Sequence, residues 1–100
     1  MITKKVGNAI VVLSLQNTYA NVHVTAPTSI VVSIYDPEGA DVVTDQTMTL
    51  LTSGKYKDYF IYVWQSDESS VIGTYSATIK SVYSGYNAIT DYLNAFELEA

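Results

Sequence analysis

Ser29-Ile30-Val31-Val32-Ser33-Ile34-Tyr35-Asp36-Pro37-Glu38-Gly39 is the stretch that decides the fold. Its first seven residues are mostly β-branched, and a period of two places Ile30, Val32 and Ile34 on one face. That pattern predicts a strand over residues 29–35. The strand stops at a near-ideal type I turn. Asp36 accepts from the backbone ahead of it, Pro37 presets φ at the second position, and Gly39 closes the turn.

The same grammar runs outward in both directions. Val, Ile and Thr make up 31 of the 100 residues, and they fall into short runs separated by turn clusters. Ile2 to Val6 predicts a first strand ended by Gly7-Asn8. Ala9 to Leu15 is apolar at nearly every position, which predicts a central strand covered on both faces. Asn17 to Pro27 reads as a polar connection whose one apolar pair is Val22 and Val24. Val42-Val43 and Thr47 to Leu51 predict short strands, broken at Ser53-Gly54. Tyr56 to Trp64 is the longest predicted strand, with Phe60, Tyr62 and Trp64 on one face and Tyr59, Ile61 and Val63 on the other. Both faces are partly apolar, so the inward one stays open. Gly73-Thr74-Tyr75 opens a further strand with Tyr75, Ala77 and Ile79 facing in. Residues 87–98 admit two readings. Ile89, Leu93 and Phe96 recur at helical spacing, while the absence of a helix cap and the need for a closing strand favour β structure.

Composition excludes several classes. There is no cysteine, hence no disulfide scaffold. No run of 18 apolar residues offers a membrane-spanning helix. Five lysines, no arginine and a net charge of −5 leave no basic stripe for phosphates, so nucleic acid is not an expected partner. The acidic balance also opposes anionic lipid surfaces. Lys4 and Lys5 before the seven-residue, mostly apolar run Ala9 to Leu15 imitate an export signal only faintly, and no small-residue cleavage site follows. Residues 1–100 are expected to form one domain without an export signal.

About seven short strands in 100 residues predict an all-β antiparallel sandwich of the immunoglobulin-like kind. Three motifs sharpen this: Val6-Gly7-Asn8 before an apolar strand, Pro27-Thr28-Ser29 leading into the strand that ends in Asp36-Pro37-Glu38-Gly39, and the pair Gly54-Lys55-Tyr56 and Gly73-Thr74-Tyr75-Ser76-Ala77. Together they resemble the stand-alone immunoglobulin-like domains of bacterial, archaeal and phage proteins, and are similar to macroglobulin-type domains. The structural positions implied are Asp36, Pro37, Gly39, Gly54, Gly73 and Tyr75. Tyr75 stands where antibody-type domains have a corner tyrosine bonded to upstream backbone, so it is expected to be buried. Ala77 occupies the place of the second cysteine, and Trp64 falls on a late strand. Both departures separate this chain from antibody and receptor domains.

Chemistry-bearing constellations are sparse. His23 is the sole histidine, and neither Ser14 nor Ser29 sits in a nucleophile motif, so no enzyme is expected. Asp36, Glu38, Asp41 and Asp45 cluster within ten residues and offer oxygens of the kind calcium takes, but the run lacks the acidic twelfth position of a calcium loop, and turn formation accounts for Asp36. No cofactor or metal is expected. Tyr59, Tyr62 and Trp64 are the candidate protein-interface residues, against two other roles for such a row: core filling, and a stacking platform for sugar rings. The expected function is a non-catalytic structural or assembly module making protein–protein contacts with other subunits or further copies of itself. The resemblance implies a phage or archaeal-virus particle component (decoration, neck or tail). The alternative is an adhesive or carbohydrate-binding module of a cell-surface protein. The expected location is accordingly the virion or the cell surface.

Overall fold

A computed structural model describes residues 2–15, 18–19, 22–23, 29–57, 59–83 and 85–100, with side chains described for these except 13–15, 18–19, 22–23 and Tyr86. Its strands are β1 (Ile2–Lys5), β2 (Ala9–Leu15), β3 (Thr18–Tyr19), β4 (Val22–His23), β5 (Ser29–Tyr35), β6 (Asp41–Thr47), β7 (Thr49–Leu50), β8 (Tyr59–Gln65), β9 (Gly73–Tyr83) and β10 (Tyr86–Glu99). A five-stranded sheet has the order β1-β10-β9-β5-β6, and a three-stranded sheet has the order β2-β8-β7. Among the described residues β3 and β4 pair only with each other.

The two sheets form an all-β, immunoglobulin-like sandwich. In immunoglobulin lettering β10, β9, β5 and β6 are G, F, C and C′, and β2, β8 and β7 are B, E and D. Among the described residues all ladders are antiparallel except one: β1 runs parallel to β10, with Ile2 beside Phe96 and Lys5 beside Glu99.

Alternation decides what is buried. Ile30, Val32 and Ile34 of β5 are buried, as are Tyr75, Ala77 and Ile79 of β9. Phe60 of β8 and Phe96 and Leu98 of β10 complete this layer. Burying a large aliphatic or aromatic side chain is worth about 1.5–3 kcal/mol, and these residues come from strands far apart in sequence. The core therefore depends on the whole strand order. Two crossovers between sheets are tied by hydrogen bonds. The Ser66 hydroxyl, at the end of β8, accepts from Gly7 N–H (3.1 Å) and donates to the Asn8 carbonyl (2.6 Å). Met48 N–H donates to the Ile30 carbonyl at 2.8 Å where the chain passes from β6 to β7.

Four expectations are corrected. β2 ends its sheet, since among the described residues it pairs with β8 alone, and it is covered on one face: Ile10 is buried while Val11 is 52% exposed. The strand expected from Tyr56 begins at Tyr59. Gly54-Lys55-Tyr56 instead lies in successive turns, with Lys57 N–H donating to Gly54 O (3.2 Å) and Tyr59 N–H to Tyr56 O (3.0 Å). The longest strand is β10, and it settles residues 87–98 as β structure. Its apparent helical spacing spans a bulge: Tyr92 opposes Ala77 and Phe96 opposes Tyr75, so β10 carries two more residues than β9 between these pairs. The polar connection contains the short β3–β4 pair, while Val24 and Pro27-Thr28 lie outside the described residues.

Candidate functional site

The turn motifs converge at one end of the larger sheet. Asp36 Oδ1 accepts from the backbone N–H of Glu38 and of Ala40, each at 2.9 Å. Gly39 N–H donates to the Asp36 carbonyl and Asp36 N–H to the Ala40 carbonyl, both at 2.9 Å. Gly39 has φ +85°, the left-handed conformation that closes a three-residue hairpin loop. Pro37 folds onto Gly73: a Cβ at Gly73 would lie 2.8 Å from Pro37 Cγ, and φ there is +135°. The two glycine-containing motifs of β5 and β9 are thus one packed unit.

Tyr75 is fully buried, and its hydroxyl donates to the Val71 carbonyl at 2.7 Å, four residues upstream. This is the corner geometry of strand F. Burial holds the Tyr75 hydroxyl above the usual phenol range, and the carboxylates of Asp36 and Asp67 push it further up. Its ring stacks on Phe96 (centroids 4.8 Å, 16° between planes), and Trp64 leans on both rings at 5.4 and 6.0 Å.

The clustered acids are engaged in local structure. Asp36 holds its turn, Asp45 Oδ1 accepts from the Ser33 hydroxyl (3.2 Å), and Asp41 accepts from the Thr44 hydroxyl (3.3 Å). Exposed Asp67 is held below the usual carboxylate range by the Ser69 hydroxyl and N–H. Among the described residues no group of three or more His, Cys, Asp or Glu comes together. The side chains of His23 and Ser14 lie outside the described residues.

The three interface candidates separate. Trp64 and Tyr62, on the face of β8 that carries Phe60, are half-buried and pack against the core. Tyr59 lies on the other face, where it meets Tyr56 edge-on at 5.5 Å, and Lys55 Nζ sits 5.5 Å over the Tyr56 ring. Gly54 belongs to the loop carrying this pair, with φ +86°.

A different surface stands out. Val11 of β2 and Val63 of β8 oppose each other in register, and they are 52% and 51% exposed. Ile89 and Leu93 of β10 are exposed at 63% and 79%. Between β2 and strands β9 and β10 runs an apolar groove of about 390 Å³, lined by Ile10, Val12, Ala77, Ile79, Tyr92 and Phe96 among others. Sequence reasoning missed this surface because it placed β2 inside a sheet. Local periodicity carries no signal of strand order.

Comparison with family models, curated proteins and solved structures finds no match to this chain. The sandwich and its surfaces are therefore what the functional reading rests on.

Proposed function

We propose that the chain is a non-catalytic structural module that joins protein subunits, in the setting its motifs imply, a phage or archaeal-virus particle. The observation that carries this reading is the apolar surface left uncovered by a finished core. Val11 and Val63 are adjacent on the outer face of the small sheet, away from the residues that fill the sandwich. Contiguous exposed apolar surface marks interaction sites in soluble proteins. The charge content of 15%, against a typical 25% or so, supports the same reading, since few charges serve to solvate the surface. The turn chemistry of Asp36 and Tyr75 makes a firm scaffold for such contacts.

The test is incorporation. Val63→Lys places a charge on the outer face of an interior strand, at a half-exposed position where the fold tolerates it. In the native source the wild-type chain should sediment with a large assembly in fixed ratio to its partner, and the variant should be depleted from that assembly. A wild-type chain found only at the 11.0 kDa position of a free subunit overturns the proposal.

A further inference from the structure

Four strands terminate the two sheets, and three of them carry the devices that stop an edge from pairing with another chain. β7 has two residues. β6 carries Asp41 and Asp45 and is bent by two register shifts against β5. β1 has four residues, two of them Lys4 and Lys5. The stretch of β10 that extends past β1 carries Asp91 and the bulge between Tyr92 and Phe96. β2 has none of these. It presents seven residues, Ala9–Leu15, without charge, proline or glycine, in unbroken register with β8. In constant-type domains strand A pairs along this edge of strand B. Here the residues leading into β2 form β1, which pairs with β10 of the opposite sheet.

The apolar groove runs along this same edge, and among the described residues lining it Lys4 is the single charged side chain. From these observations we infer that β2 and the groove form a strand-acceptor site. It takes an extended, uncharged segment of a neighbouring subunit, apolar at alternate positions and ending in a carboxylate near Lys4. Backbone hydrogen bonds to the β2 edge supply affinity, and every second side chain enters the groove. The strand count selects a single segment over a whole second domain. In constant-type domains one strand, A, fills this edge, so a single added strand restores that pairing. The neutral edge gives a charged segment nothing to pair with except at Lys4.

This inference rests on the assembly reading above and names how one contact is made. Its test titrates the isotope-labelled full chain with three capped nonapeptides. The first alternates valine and threonine and ends in glutamate; the second ends in lysine; the third is the first with a central proline. The glutamate peptide should bind saturably, with a Kd on the order of 100 µM. It should shift the Ala9–Leu15 amides and slow their exchange. The proline peptide should bind about tenfold more weakly, because it breaks the ladder. Lys4→Glu, at an exposed position, should invert the preference between the glutamate and lysine peptides. No saturation by about 1 mM, shifts centred on β6 or β10, equal binding of the proline peptide, or an unchanged order in Lys4→Glu each overturns the inference. A chain that still joins its native assembly while the peptides fail leaves the assembly reading standing. Peptide binding by a chain never found in an assembly does the reverse.

Discussion

Removing one oxygen atom from Tyr75 isolates the hydrogen bond that fixes the start of strand β9. In Tyr75→Phe the ring keeps its stack on Phe96 and its contact with Trp64, and only the 2.7 Å bond to the Val71 carbonyl is lost. The ring lies wholly inside, so the carbonyl of half-buried Val71 loses this donor and faces an apolar ring edge in its place. Loss of such a bond costs about 1–2 kcal/mol. For a domain of this length that is a drop in Tm of roughly 5–10 °C, or roughly 1 M in the urea midpoint. Trp64, the only tryptophan, sits 5.4 Å from the Tyr75 ring and reports the unfolding by fluorescence. The pH dependence carries a second signature. The native Tyr75 hydroxyl titrates above the ordinary phenol value, so at alkaline pH the native state binds more protons than the unfolded one. Its stabilisation is complete below the unfolded pKa and is lost as pH rises through the native one. Tyr75→Phe should therefore flatten the alkaline fall in stability. A urea midpoint within about 0.2 M of wild type, with an unchanged alkaline slope, would refute the corner reasoning.

Gly73→Ala should destabilise by about 1–3 kcal/mol, from the Pro37 clash and the φ of +135°. Calorimetry of a cycle with Pro37→Ala should show that removing the proline ring recovers part of this cost, and strict additivity would contradict the contact. Asp36→Ala removes the acceptor for two backbone N–H groups at 2.9 Å and should cost about 1–3 kcal/mol by urea unfolding. Ser69→Ala should raise the Asp67 carboxyl toward its ordinary value, read by a proton titration in NMR. In the wild type the stabilisation from that depressed carboxyl is present above the unfolded pKa and fades as pH falls, so the variant should lose this acid dependence at Asp67.

How much was legible in the sequence divides along the range of the interactions involved. Ser29–Tyr35 and the Asp36-Pro37-Glu38-Gly39 turn were readable because alternation and turn chemistry act within a few residues. The same holds for the inward set Tyr75, Ala77 and Ile79. Gly54-Lys55-Tyr56 misled because a Gly-x-Tyr triplet fits a turn as well as a strand start. It lacks a neighbour like Pro37, whose packing on Gly73 fixes the other triplet. Ala9–Leu15 misled for a physical reason. A run apolar at every position but Ser14 states that neither side-chain face needs much water, and that is satisfied by burial in a sheet or by a partner. The place of β2 in the order β2-β8-β7 comes from long-range pairing that runs from Ala9 beside Gln65 to Leu15 beside Tyr59, and β2 keeps its apolar outer face with no covering layer among the described residues. Trp64 and Tyr62 proved to be packed against the core, while the open apolar positions are valines that no aromatic search selects.

The claim that this sandwich works by joining subunits is tested most directly by surface footprinting of the chain, free in solution and within its native assembly. Carbene labelling of Val11 and Val63 should fall sharply on assembly, while labelling of exposed Glu38 in the turn stays unchanged. Equal labelling of the two valines in both states would contradict the account.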